Sequence, residues 1–298
     1  MIFALVLLAC TAGSMQAEPI QVAYAGSMGV VMDRQIGPDF ARINNCEFQG
    51  IGRGSYGLAH MIDSGQLRPD IFLSVTRGPM DILLKSGRVR EAIPVASTEM
   101  VIAYGDKSKF AAAFKRAAAG SLQWFQVLER PGFRFGRTDP RVDPQGRNII
   151  ITMLLAGIYY KDPSLASRTL GSYENPQQIF SEPSLLSRLE AGQLDAASSY
   201  RAGAVSRGLP YIRLPQEINL GNAAYESSWY SKAHFQISGP DGKPETVHAQ
   251  PLVYYAAVLK DASHPELARR FLRYLGSKSG LAAFESHGYD APRGTPLR

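Results

Sequence analysis

Cysteine is almost missing from this chain: of 298 residues only Cys10 and Cys46 carry a thiol. Cys10 falls in a segment that reads as a leader, so Cys46 is left alone and no internal disulfide is expected. On its own, Cys46 reads as a small buried hydrophobe rather than a nucleophile. The five histidines (His60, His234, His248, His264 and His287) show no paired ligand spacing, which argues against a histidine metal site. Beyond the leader, no stretch approaches the ~20 uninterrupted apolar residues of a membrane span, so a soluble mature chain is expected. Clusters of one charge are lacking too. The 32 Lys+Arg against 26 Asp+Glu leave +6 spread along the chain, unlike the basic patch of a nucleic-acid binder. A mild positive field of that kind suits a small anion.

What is present is ordinary globular composition. With 45% hydrophobic and 19% charged residues, 28 Gly and 19 Pro, the chain is neither coiled coil, collagen nor disordered tail. Its length accommodates two lobes, each large enough to bury a core. Residues 1–17 carry no charge, and the apolar run Ile2–Leu8 is too short to span a bilayer but suits a signal-peptide core. Cleavage near Ala17 and export follow as expectations, although the usual basic n-region is missing. Leu8-Ala9-Cys10 leaves a lipid anchor on Cys10 as the alternative.

After the leader, short apolar runs alternate with helical stretches. Strands are expected at Gln21–Ala25, Cys46–Ile51, Asp70–Val75 and Glu99–Tyr104, with helices between them, a rhythm that argues for βαβ units and a parallel sheet. Helices are expected over Lys107–Ala119, Gly146–Tyr160 and Pro183–Ala191. Strands are expected at Phe133–Gly136, Asp195–Tyr200 and Tyr211–Leu214. Phe235–Ser238, a turn at Gly239-Pro240-Asp241-Gly242 and one long strand Thr246–Leu259 follow, then the helical region Pro265–Ser286. Two α/β lobes joined by extended crossovers near 100–106 and 225–250 account for this order.

Two motifs suggest chemistry and fall short. Gly52-Arg53-Gly54-Ser55-Tyr56-Gly57 fits the dinucleotide pattern G-x-G-x-x-G, but the acidic residue at the right distance, Asp70, stands at the wrong end of its strand. Ala25-Gly26-Ser27-Met28-Gly29 resembles a nucleophile elbow, which would make Ser27 the nucleophile of a serine hydrolase. That elbow would sit on the first strand, with no oxyanion loop before it. A third reading unites both. Ser27 and Ser55 each stand where a strand hands over to a helix, where a Ser is a natural N-cap. Free amides and the positive dipole end also make such a helix start an anion site. In the second half, Asp143-Pro144-Gln145-Gly146 and Glu182-Pro183 are matching helix starts, an acidic cap followed by Pro. Plain capping remains the alternative for each. Four helix starts, two per lobe, describe a clamshell closing on a small anion.

In order along the chain, Tyr24–Ser27, Gly54–Ala59, Asp70–Ser74, Gly136–Gly146, Leu189–Tyr200 and Tyr211–Leu220 resemble the periplasmic molybdate/tungstate-binding proteins of ABC transporters, over nearly all of the mature sequence. The last of these segments looks like the tungstate-type branch. The resemblance implies an α/β, two-lobed periplasmic-binding-protein fold of type II, with mixed, mostly parallel sheets and extended crossover strands. It implies lobe one at 18–103 plus 247–298 and lobe two at 104–246. It further implies a monomeric, periplasmic, cofactor-free binding protein, not an enzyme, that hands an oxoanion to an ABC permease. Ser27 and Ser55 would donate from lobe one; the Asp143–Gln145 turn, the amides near Glu182 and the Tyr200 hydroxyl would donate from lobe two.

In the tungstate-type branch two carboxylates approach the metal and raise its coordination from four to six. Asp143 matches one of these positions; the other, just before Tyr200, is here Ser199. An ionised Asp beside an oxoanion is repelled unless it coordinates the metal or turns away to cap its helix. With one carboxylate left, a tetrahedral anion held by neutral donors is expected, which admits sulfate and other oxoanions beside molybdate and tungstate. Arg53 and Arg137 are read as solvated surface charges, with positive charge near the cleft as the alternative.

Overall fold

The computed structural model describes residues 18–239 and 242–298, apart from the side chains of Glu182 and Pro183. The expected leader with its cleavage point and Cys10, the Pro240-Asp241 tip of the turn and the Glu182 side chain lie outside the described residues.

Apolar residues at alternate and then consecutive positions build eleven strands. They are β1 (Pro19–Ala25), β2 (Glu47–Arg53), β3 (Ile71–Val75), β4 (Ile93–Ser97), β5 (Met100–Tyr104) and β6 (Phe135–Gly136), then β7 (Ala196–Tyr200), β8 (Tyr211–Arg213), β9 (His234–Ser238), β10 (Pro244–His248) and β11 (Val253–Val258). The first sheet has the order β2-β1-β3-β11-β4, the second β6-β7-β5-β8, and β9 and β10 form a separate hairpin.

Parallel pairing holds around β1, which runs with β2 and β3, and between β6 and β7. It gives way where the crossing strands enter: β11 is antiparallel to β3 and β4, and β5 is antiparallel to β7 and β8. The expected predominance of parallel ladders is therefore corrected to a mixture. Strand–helix alternation specifies parallel neighbours only within a continuous βα series, and strands arriving from the other lobe insert against that direction.

Strand β4 has no counterpart in the sequence reading because Pro94 interrupts its apolar pattern. It lies at the sheet edge, where the missing proline N–H costs no ladder bond, and its register with β11 shifts between Tyr254 and Tyr255. The single strand expected over Thr246–Leu259 is two strands in different sheets, with Pro251 between them. All of β5 pairs within the second sheet, and β11, from Val253, pairs within the first.

The helical run after β1 extends from Gly26 to Asn44, with a wider π segment at Met32–Ile36. It stops at Asn45, whose left-handed φ of 49° suits an asparagine C-terminal cap. Its last part packs on the helix Pro265–Leu275, where the Phe40 and Phe271 rings meet edge-on at 4.9 Å. Such a pair adds about 0.5–1.5 kcal/mol beyond burial. Among the described residues, no helix is long and apolar enough to cross a membrane.

Candidate functional site

The strand-to-helix turns after β1 and β2 place Ser27 and Ser55. Neither serine caps its helix with its side chain, contrary to expectation. Ser27 lies inside the short turn Gly26–Met28, and Ser55 is the first residue of the helix Ser55–Asp63, capped by the Gly54 backbone. The Ser55 side chain is fully buried, and its hydroxyl accepts the Val75 amide at 3.4 Å. Ser27 is half-buried. Its hydroxyl stands 3.2 Å from the Tyr254 phenol, and the Tyr289 hydroxyl donates to its carbonyl at 3.2 Å.

In the second lobe Asp143 caps the long helix Pro144–Tyr159 as its sequence foretells. Its carboxylate accepts the Gln145 amide at 2.8 Å, with Pro144 at the first helical position. The helix Glu182–Glu190 begins one residue earlier than expected: Glu182 is its first residue, and Ser181, not Glu182, occupies the cap position.

The two lobes meet along these turns. The Gly57 amide donates across the gap to the Val142 carbonyl at 3.2 Å. A Cβ on Gly54 would lie 2.8 Å from that same carbonyl oxygen and 3.3 Å from the Asp143 Cβ, so glycine is what permits the approach. The helix Glu182–Glu190 packs against β2 and the Gly26–Met28 turn.

A cavity of about 340 Å³ opens between the lobes. Ser27, Gln145, Ser199 and Tyr200 line it, together with Tyr24, Asp33, Arg34 and Arg207. In its wall, Ser199 donates to the Tyr200 carbonyl at 2.8 Å; from the buried side, Ser198 donates to the Gln145 side-chain oxygen at 2.8 Å and Asn148 to the Tyr200 phenolic oxygen at 3.0 Å. A second cavity of about 500 Å³ is lined by Arg53, Thr138, Asp143 and Ser181 among others, and Gly52 is common to both. The structure thus brings four of the seven expected residues into one chamber, puts Asp143 in its neighbour, and buries Ser55 beside both. Asp143 reaches its place as a cap, not by entering the first chamber.

Electrostatically the first chamber is mixed. Asp33 accepts a short hydrogen bond from the Tyr24 hydroxyl. Burial, and then Asp33, drive the Tyr24 phenol far above its ordinary pKa, so it stays a donor. Arg207 is held by Glu190 at 3.2 Å. Arg53 is exposed, as expected, but Arg137 is not a surface charge. It is fully buried, and its guanidinium donates to the Ser172 and Tyr173 carbonyls and the Gln178 side chain at 2.6–3.1 Å. Burial lowers its pKa to about 10. Those acceptors sit in an irregular segment with no sequence signature. Tyr254, Tyr289, Asn148 and Ser198 also escaped the sequence reading, because each looks like an ordinary strand or helix residue until its partner is in place.

The competing chemistries lose their footing here. No histidine is among the described residues lining the chamber around Ser27, so the Ser-His pairing of a serine hydrolase is missing there. Asp70, the acid of the dinucleotide pattern, is buried and accepts the Gln21 and His264 amides at 2.9 and 2.7 Å. The Cys46 thiol is half-buried rather than buried, and burial raises its pKa, the opposite of what a nucleophile needs. Among the described residues, no three His, Cys, Asp or Glu side chains cluster as a metal site.

Known proteins give the same answer. The molybdate/tungstate-binding protein WtpA of Pyrococcus abyssi is 30% identical over 294 residues, covering 90% of this chain and 83% of its own. WtpA of Thermococcus kodakarensis is 34% identical over 212 residues, but that match spans 64% of this chain and 58% of the relative. Among solved structures, the periplasmic molybdate-binding protein of Azotobacter vinelandii matches with a TM-score of 0.63 at 15% identity, over 92% of this chain and 100% of that one. At that identity the likeness shows the fold, two-lobed and of the periplasmic-binding type. The sequence model of bacterial extracellular solute-binding proteins matches residues 20–290. Accordingly, the chain belongs to the family of bacterial extracellular solute-binding proteins, which bind rather than catalyse.

Proposed function

We propose that this protein captures a tetrahedral oxoanion, molybdate or tungstate, between its two lobes and delivers it to an ABC permease. In this reading lobe one comprises the first sheet with the C-terminal helices and lobe two the second sheet, with crossings at 98–99 and 249–252. The chain works as an exported monomer in the periplasm, its leader cleaved near Ala17, and it has no nucleic-acid partner.

The observation that carries the reading is the donor set of the chamber between the lobes. Ser27, Gln145 and Tyr200 offer hydroxyl and amide groups there; Ser199, whose hydroxyl donates to the Tyr200 carbonyl, stands where the resemblance would put a second carboxylate for six-coordination. Neutral donors from two lobes bind a small anion by hydrogen bonds, and Arg34 and Arg207 in the same lining offset the negative charge of Asp33. The names of the WtpA relatives favour molybdate and tungstate among the anions that fit.

A thermal-shift screen with molybdate, tungstate, sulfate, phosphate and arsenate tests this. At 1,000 times Kd, binding to the folded state contributes about 4 kcal/mol, which raises Tm by roughly 10 °C in a protein of this size. Silence with every oxoanion would overturn the reading. A rise with sulfate alone would make the chain a sulfate carrier.

A further inference from the structure

We propose that Arg147 is a positioning residue that fastens the lobes when they close, with Tyr56 as the surface it closes upon; this rests on the oxoanion reading above. Arg147 lies one helical turn beyond the Asp143 cap, on the helix Pro144–Tyr159. Its guanidinium is almost completely buried and every edge is engaged on its own side of the cleft. Nε donates to the Pro140 carbonyl at 2.7 Å, and Nη1 and Nη2 form a fork on the Glu245 carboxylate at 2.5 and 3.0 Å. Pro140 belongs to the turn leading to Asp143, and Glu245 belongs to β10 of the hairpin whose β9 packs on this same helix.

These in-plane bonds fix the plane of the guanidinium and leave its flat face to the other lobe. There the Tyr56 ring receives it, with the guanidinium carbon 3.8 Å from the ring centroid. Tyr56 immediately follows Ser55, and the bond from the Gly57 amide to the Val142 carbonyl lies next to it. So Tyr56 and Gly57 place an aromatic face and an amide donor against one arginine-braced turn. Opening the cleft must separate the ring from the guanidinium and return both to water. A planar, bidentate cation is the side chain suited to this; a lysine keeps the charge but neither the fork nor the face. The three Arg147 bonds described above all go to its own side of the cleft, and Tyr56 is its partner across it, so the contact reports closure.

The test is a double-mutant cycle on the full chain with Tyr56→Leu and Arg147→Lys, and Tyr56→Phe as the conservative variant. The readouts are molybdate affinity and dissociation rate, ligand-free Tm, and radius of gyration by small-angle scattering. Tyr56→Phe keeps the ring and should bind like the parent. Tyr56→Leu should weaken molybdate roughly three- to thirtyfold, through faster dissociation, and the double variant should be little worse than either single one. Additive losses, or a fall in ligand-free Tm with affinity unchanged, would reduce Tyr56 to a packing residue and overturn the proposal. Should the parent bind no oxoanion, the functional reading fails on its own. The ligand-free radius still decides the clasp, since Tyr56→Leu must then expand relative to Tyr56→Phe, and equal radii refute it.

Discussion

Asn148 donates a 3.0 Å hydrogen bond to the phenolic oxygen of Tyr200, and both side chains are buried. The bond ties the helix that Asp143 caps to the strand that carries Ser198 and Ser199, and it orients the Tyr200 hydroxyl at the wall of the chamber. Replacing Tyr200 by Phe removes that hydroxyl without changing the ring. The affinity cost should be about 1.5–3 kcal/mol, the scale of a hydrogen bond to a charged group, or roughly ten- to a hundredfold in Kd. Calorimetric titration with molybdate reads it, and an unchanged Kd would remove Tyr200 from the site.

Asp143 distinguishes the two coordination chemistries. Its carboxylate caps Gln145, and Asn caps as well while removing a negative charge. If the anion stays tetrahedral, Asp143→Asn should keep or improve affinity for tungstate and sulfate alike. Asp143→Ala should cost about 1 kcal/mol of stability through the lost cap. A large loss for tungstate that spares sulfate in Asp143→Asn would instead make Asp143 a ligand to the metal.

Ser199 tests the same question in the opposite direction. Ser199→Glu restores the carboxylate seen in the tungstate-type branch, inside a chamber with room for it. Sulfate, whose centre offers no open coordination, meets only repulsion and should weaken by roughly tenfold or more. Tungstate should be retained, so the tungstate-to-sulfate ratio of Kd values should shift accordingly. The ligand-free variant should melt lower, because it buries an unpaired acid.

Asp195 gives a stability prediction away from the anion. It anchors the start of β7 by accepting the Ser108 hydroxyl at 2.8 Å, the Arg134 amide at 2.9 Å and the Arg134 guanidinium at 3.0 Å. Burial alone would raise its pKa, but these donors outweigh burial and hold it below the ordinary carboxylate value. A depressed folded pKa contributes stability above the unfolded value of about 4 and loses it as pH falls through the folded one. Half of the Arg134 side chain is exposed, so water screens the pair. Asp195→Asn should cost about 1–3 kcal/mol near neutrality and flatten the acid limb of Tm below about pH 4. An unchanged acid limb would refute this account.

Sequence legibility followed locality. The Asp143-Pro144 start could be read because a cap and its helix are neighbours in the chain, and β1 and β3 could be read because each is a short, mostly apolar run. Strand β4 could not, since Pro94 hides it until the edge position is known. The contact of Ser27 with Tyr254 joins residues 227 apart, and no pattern in either segment announces the other. Arg137 looked like surface because arginine usually is; only the folded Ser172–Gln178 segment supplies the acceptors that bury it. The anion reading was accessible because helix starts carry their chemistry locally, whereas Arg147 owes its role to Glu245 and Tyr56, which are remote from it and from each other.

The position of β11 sets an order of assembly. Val258 pairs with Ile71 and Val253 with Ser97, so the last strand made is an inner strand of the sheet begun first. Until it arrives, β3 and β4 face a gap, each with a row of unpaired backbone groups open to other chains. The strands of the second sheet all lie between residues 100 and 213 and face no such delay. Contacts closed across so much chain form slowly, because the loop entropy is lost before the pairing returns it. A truncation before Val253 is therefore not a shorter protein but a split sheet: the half that starts the chain is the half that must wait for its end.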